Sequence, residues 1–105
     1  MSQFDVYINP SRKTKNAYPF LVDVQNQVIS DLATRLVVPL SKASSCPNML
    51  IKKLTPIVEI DGVDYLFITQ QLTSVPEEIL SNPIGTLKDS RDLLIDAMDF
   101  AITGI

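Results

Sequence analysis

The stretch PIVEIDGVDYLFITQ, residues 56–70, decides how this chain folds. Asp61-Gly62 stands between two largely apolar segments, residues 56–61 and 63–70. Aspartate and glycine both accept the positive φ angles of a two-residue hairpin turn, so the pair is the strongest hairpin signal in the sequence. The stretch therefore predicts two neighbouring antiparallel strands.

Three further strands are predicted upstream of this hairpin. In residues 4–9, Phe4, Val6 and Ile8 alternate with Asp5, Tyr7 and Asn9, a pattern typical of a half-buried strand that stops at Pro10. The return strand covers residues 18–24, and the polar, basic residues 11–16 form the loop between the two. A third strand covers residues 35–40, where Pro39 suits an edge or a bulge.

From Thr86 onward the pattern changes to that of a helix. Thr86 and Asp89 resemble a capping box, and Gly104 suits the left-handed residue that ends many helices. The apolar residues at helical spacing are Leu87, Leu94, Ala97, Met98, Ala101 and Ile102. Antiparallel strands followed by one C-terminal helix predict an α+β fold, and a length of 105 residues predicts a single domain, residues 1–105.

Composition excludes several classes of function. The chain has a net charge of −3, which argues against non-specific phosphate binding, and it contains no His, which excludes His-based acid–base catalysis and most zinc sites. Cys46 is the one cysteine, so no intramolecular disulfide forms, as in a reducing cytoplasm. No apolar stretch approaches the roughly 18 residues of a membrane span, and no signal peptide is visible. We expect a cytoplasmic protein with no cofactor and no metal.

Two groups of residues suggest binding rather than catalysis. Asp92, Asp96 and Asp99 follow one another at i, i+4 and i+7, and this spacing predicts a solvated acidic helix face. The pair Val28-Ile29 lies in a stretch that otherwise looks exposed, and an exposed apolar pair is typical of a contact surface. No nucleophile, P-loop or dinucleotide motif is present, so the residues alone favour a binding module.

Five short strings carry a resemblance that extends over nearly the whole chain. They are FDVY (4–7), YPFLVDVQ (18–25), TRLVVPL (34–40), LTSVP (72–76) and the terminal GI (104–105). With these strings the chain resembles the CcdB family of plasmid and chromosomal addiction toxins, apart from a small insertion near residues 9–16.

The resemblance implies both a fold and a function. The implied fold is an antiparallel sheet with a small extra sheet and a long C-terminal helix, a CcdB/MazF-like, SH3-like barrel that assembles as a homodimer. Family members do no chemistry themselves. They bind the dimerisation region of the DNA gyrase A subunit and trap the enzyme with its DNA cleaved, until the CcdA antitoxin removes them. We therefore expect a bacterial plasmid-maintenance toxin that contacts neither nucleic acid nor membranes directly.

Carried over residue by residue, the resemblance also implies two binding surfaces. The gyrase-binding positions are Val28, Ile29, Asp96, Asp99, Thr103, Gly104 and Ile105. Asp96 and Asp99 replace amides of the family pattern, and Thr103 replaces a tryptophan, which removes a large stacking surface. The acidic tail of CcdA implies contacts on a basic loop, here Arg12, Lys13 and Lys15.

Two alternatives stay open at this point. Thr103 and Asp99 suggest a chromosomal homologue that still binds CcdA but no longer poisons gyrase. The related MazF and Kid toxins cut RNA, which would require a basic groove and a proton-transfer set. This chain offers only scattered arginines, at Arg12, Arg35 and Arg91.

Overall fold

The structure is a computed structural model that describes residues 2–26, 33–45 and 54–104. These residues contain seven β-strands, four short 3₁₀ turns and one α-helix. The elements are β1 (Asp5–Ile8), β2 (Phe20–Asp23), β3 (Thr34–Lys42), β4 (Ile57–Ile60), β5 (Val63–Phe67), β6 (Thr73–Pro76), β7 (Gly85–Thr86) and α1 (Arg91–Thr103).

All strand pairs in the described residues are antiparallel and join into one curled sheet. Its strand order is β4-β5-β3-β2-β1-β7, which forms a half-barrel. Strand β6 lies off this order and pairs with the first half of β3, so it forms a short branch of the sheet. Together with the C-terminal helix, this arrangement confirms the predicted α+β fold.

The main core lies between the concave sheet and α1. It collects aliphatic and aromatic side chains from most strands and is completed by Leu87, Leu94 and the partly buried Met98. The sheet side of this core consists of side chains in the strands or directly beside them, namely Phe4, Val6, Val22, Val24, Val38, Leu40, Val58, Tyr65 and Phe67. Burial of this many apolar side chains is the main stabilising contribution to the fold.

A second, smaller cluster lies on the opposite face of the sheet, which we call the second face. It consists of Tyr7, Leu21, Val37 and Leu80, with Val75 packed against them. The prediction of a half-buried first strand is therefore wrong, because Tyr7 is fully buried on this face. Leu80, which follows the 3₁₀ turn Glu77–Ile79, provides the cover that strand periodicity alone does not reveal.

Pro39 occupies an inner strand, which corrects the prediction of an edge or a bulge. It pairs with Leu21 of β2, and its carbonyl accepts a hydrogen bond from the Ile68 amide at 3.1 Å on the other side. On that other side the pairing of β3 with β6 stops at Val37, and the pairing with β5 begins at Leu40. Pro39 therefore lies where β3 changes partner, so its missing N–H removes no ladder hydrogen bond.

The predicted hairpin is confirmed. Asp61 and Gly62 connect β4 to β5 with φ angles of 52° and 79°, as a two-residue turn with both central residues left-handed requires. The predicted helix end is confirmed as well. Gly104 has φ of 74°, and its amide donates to the Phe100 carbonyl at 2.9 Å.

The prediction that the helix starts at Thr86 is wrong. Thr86 belongs to β7, where it pairs with Asp5, and α1 begins only at Arg91. The Thr86 hydroxyl accepts a hydrogen bond from the Lys88 amide at 3.3 Å, just before the intervening 3₁₀ turn Lys88–Ser90, whose N-cap residue is Leu87. The pairing with β1 is a long-range contact, and it overrides the local capping signal.

Candidate functional site

The end of α1 presents an exposed polar face. Asp96, Asp99 and Thr103 are all exposed, and their spacing of three and four residues places them on one side of the helix. The Thr103 hydroxyl donates to the Asp99 carbonyl at 2.7 Å, which holds the last turn closed. Gly104 follows directly and is also exposed. The structure thus brings four of the predicted gyrase-binding residues together.

This face carries uncompensated negative charge. Asp92 continues it one turn earlier, and the last turn of α1 contains no basic residue. Arg91 approaches Asp92 only to 3.8 Å, and both side chains are mostly exposed, so this pair screens little. Carboxylates near a helix C-terminus interact unfavourably with the helix dipole, so this acidic face does not stabilise the end of α1.

An exposed apolar side chain accompanies the acidic face. The helical spacing predicted Ile102 as a core residue, yet it is 72% exposed, because the core contacts of α1 end near Met98. The last turn of α1 therefore projects beyond the sheet. Ile102 was missed as a candidate contact, since periodicity assigns a helix face but does not show where the sheet beneath it ends.

Three predicted positions, Val28, Ile29 and Ile105, lie outside the described residues. The strands that flank residues 27–32 are described, and a buried ion pair joins them. Arg35 of β3 donates through Nε to Asp23 Oδ2 of β2 at 3.0 Å and also through Nη2.

Both charges of this pair are almost fully buried. The other Asp23 oxygen accepts the Gln25 amide at 2.9 Å, and the Gln25 side-chain oxygen accepts the Leu36 amide at 3.1 Å. Burial raises the pKa of Asp23, while the hydrogen bonds from Arg35 and Gln25 oppose that shift. These bonds tie the end of β2 to the start of β3.

The basic residues Arg12, Lys13 and Lys15 are all exposed on the loop between β1 and β2. Within the described part of the chain none of them makes an ion pair. The same loop borders the second face, because its residues Ser11 and Thr14 line a groove there. The described part of the predicted gyrase-binding surface, at the end of α1, therefore lies on the core side of the sheet, whereas the basic loop lies beside the second face.

Candidate metal ligands were sought among the residues that the structure describes. These residues contain no cluster of three or more acidic or cysteine side chains placed to hold a metal ion. The helix of the described chain is too short and too polar to cross a membrane. Comparison with known protein families adds one finding, which is that the family model described as CcdB protein matches residues 3–104.

Proposed function

Because the chain belongs to the CcdB family, whose members are toxins of toxin–antitoxin systems, we propose that it binds the DNA gyrase A subunit and traps the cleaved DNA complex. The single observation that carries this proposal is the exposed end of α1. Asp96, Asp99 and Thr103 lie there on one face beside the apolar Ile102, with no neighbour in the described chain to cover them.

The chemistry of this surface differs from that of the family pattern. Thr103 provides no indole, and its hydroxyl is already donated to the Asp99 carbonyl. Asp96 and Asp99 instead offer carboxylates, which form stronger hydrogen bonds with arginine than neutral amides do. In this chain we propose that charge pairing with a basic gyrase surface replaces part of the lost stacking contact.

The proposal includes two further partners. The CcdA antitoxin would neutralise the toxin through contacts that include Arg12, Lys13 and Lys15. A second copy of the chain would complete a homodimer. Support for both comes from family membership, and for the antitoxin also from the exposure of the basic loop.

A gyrase cleavage assay tests the main proposal. Purified protein, gyrase, supercoiled plasmid and ATP are combined and treated with protease, and linear DNA is measured. We expect linear product only when both proteins are present. Absence of linear product from a correctly folded protein contradicts gyrase poisoning.

Two variants then test the site. Deleting Gly104 and Ile105 removes residues that follow α1, so it should abolish trapping while the circular dichroism spectrum stays unchanged. Asp99→Lys should weaken trapping by about tenfold, because it places like charges across the interface. The matched control is Asp64→Lys on β5, which is also exposed and is distant in sequence. Equal losses for both lysine variants would contradict the assignment.

One observation favours a second candidate, a homologue that binds CcdA without poisoning gyrase. Thr103 stands where the family pattern has a tryptophan, and its hydroxyl already donates to the Asp99 carbonyl, so this position offers no aromatic anchor. In that case Thr103→Trp should create or strengthen gyrase binding. An unchanged affinity for gyrase would count against this second candidate. The endoribonuclease alternative gains no support, because Arg35 is buried and paired with Asp23.

A further inference from the structure

The two ends of the curled sheet lie beside one cleft. Strand β4 is the first in the strand order and β7 is the last. The cleft, of about 190 Å³, is lined by Glu59, Ile60 and Asp61 on the side of β4 and by residues 84–87 on the side of β7. Val6 of the neighbouring strand β1 also lines it. We call this feature the edge cleft.

The outer edge of β4 carries backbone groups that no described strand pairs with. On the inner side, the Phe67 amide donates to the Pro56 carbonyl at 2.9 Å, and hydrogen-bonded pairs alternate along an antiparallel ladder. Val58 therefore directs its backbone groups toward β5, whereas the N–H and C=O groups of Ile57 and Glu59 point away from β5. An edge of this kind can form hydrogen bonds with an added strand.

The β4–β5 hairpin is acidic at this edge. Glu59 and Asp64 are direct cross-strand partners, and Asp61 lies in the turn that joins their strands. All three side chains are exposed, and none forms an ion pair with a residue in the described ranges. Like charges directly opposite each other on neighbouring strands are destabilising, so a cation beside Glu59 would relieve a repulsion that is present in the free protein.

The edge cleft also offers apolar surface. Val6 and Leu87 belong to the main core, and Ile60 packs against it. Ile84, which lines the same cleft, leaves 46% of its surface exposed. A dry cavity of about 150 Å³ can hold a benzene-sized group, so the edge cleft has room for one aliphatic side chain. Filling it would remove apolar surface of both partners from water.

A single extended segment can use the open edge, the charge and the apolar cleft together. In an antiparallel strand added to β4, the residue opposite Glu59 has its side chain on the outer face of the sheet, and the next residue projects toward the core side. A segment that alternates basic and apolar residues thus matches this edge. Two β4 edges would instead bring two acidic hairpins together, which disfavours a second copy of the chain as the occupant.

We propose that the outer edge of β4 binds an extended basic segment of another protein by antiparallel strand addition. Its lysine or arginine side chains contact Glu59 and Asp61, and its backbone forms hydrogen bonds with Ile57 and Glu59. One aliphatic side chain enters the edge cleft. This surface shares no residue with those proposed for gyrase and for the antitoxin, so the inference does not rest on the proposed function.

Nuclear magnetic resonance titration with the synthetic peptide acetyl-Lys-Leu-Lys-Val-Lys-Leu-Lys-amide tests the preference. We expect saturable shifts at Ile57, Glu59 and Gly85, together with slower hydrogen exchange of the Ile57 and Glu59 amides. The shifts should weaken when salt rises from about 0.05 M to about 0.5 M. A peptide in which glutamate replaces every lysine should produce no such shifts. Shifts confined to other parts of the protein, or no shifts at all, overturn the proposal.

A pair of N-methylated peptides tests strand addition itself. In the antiparallel arrangement the lysine residues direct their N–H groups toward β4, and the apolar residues direct theirs away from it. N-methylation of three lysine residues should therefore abolish binding, whereas N-methylation of the leucine and valine residues should leave the dissociation constant unchanged. Equal affinities of the two peptides, or the reverse order, overturn antiparallel addition.

A matched pair of protein variants tests the charge. Glu59→Lys should raise the dissociation constant about tenfold, and we expect it to fold because the new side chain lies opposite Asp64. Glu78→Lys changes the net charge equally at an exposed position of the 3₁₀ turn Glu77–Ile79, and it should leave the dissociation constant unchanged. Equal affinities of the two variants overturn the proposal. So does protection of the Ile57 amide that rises with protein concentration without peptide, because it would indicate a second copy at this edge.

Discussion

The burial and hydrogen bonding of a residue in this protein depend more on its surroundings in the fold than on its residue type. Tyr7 looked like the solvent-facing member of an alternating strand, yet it is fully buried on the second face. Among the described residues its hydroxyl is the only buried side-chain polar atom without a hydrogen-bond partner. A buried hydroxyl that forms no hydrogen bond is destabilising, because it has lost its contacts with water.

Tyr7→Phe should therefore stabilise the protein by up to about 1 kcal/mol at neutral pH, as measured by urea denaturation. Burial, with smaller effects from nearby carboxylates such as Asp5, raises the pKa of Tyr7 above its ordinary value of 10.0. The folded state thus keeps this proton more tightly than the unfolded state does. This pKa difference contributes to the free energy of unfolding. The contribution is fully present below pH 10 and is lost as the pH rises through the folded-state pKa.

The difference in unfolding free energy between Tyr7→Phe and the wild type should consequently widen above pH 10. A Tyr7→Phe variant that is less stable than the wild type at neutral pH would show that the hydroxyl has a bonding partner. A difference that stays constant with pH would contradict the raised pKa.

At the scale of elements, local signals decided some boundaries and long-range pairing decided others. The β4–β5 hairpin follows from its two turn residues, because both adopt the left-handed conformation within the turn itself. The start of α1 does not follow from the capping signal at Thr86, because Thr86 pairs with β1, more than eighty residues earlier in the chain.

The hairpin makes a prediction at this scale. Gly62→Ala should destabilise the protein by about 1 kcal/mol, because alanine adopts a positive φ at a cost and no nearby atom offers a compensating contact. Asp61→Asn should change stability by less than about 0.5 kcal/mol, because asparagine also tolerates this conformation. Both are measured by thermal and urea unfolding, and equal effects of the two substitutions would contradict the turn geometry.

At the scale of the whole molecule, the sheet separates two surfaces that the sequence had suggested independently. The acidic end of α1 lies on the core side, and the basic loop borders the second face. A partner on one side therefore leaves the other side open. We propose that the target binds the first surface and the antitoxin contacts the second.

We also expect the chain to be a homodimer in solution, with twice its single-chain mass of 11.7 kDa. Leu93 leaves 49% of its surface exposed on α1, and a second copy would remove such apolar surface from water. Light scattering over a range of concentrations measures the mass. A single-chain mass at every concentration would contradict the expectation.

The sequence by itself determined the features that depend on neighbouring residues. These include the Asp61-Gly62 turn, the Gly104 helix end, the exposure of Asp96 and Asp99, and the α+β order of elements. Periodicity and turn chemistry act over a few residues, so a single sequence is sufficient to predict them.

Only the tertiary structure decided which surfaces remain open and which side chains meet. It placed Pro39 where β3 changes partner, buried the Asp23–Arg35 pair, left Ile102 uncovered and formed a groove on the second face from residues far apart in the chain. These features arise from contacts between residues far apart in the chain. Their energies depend on which faces the fold brings together, and local patterns carry no information about that.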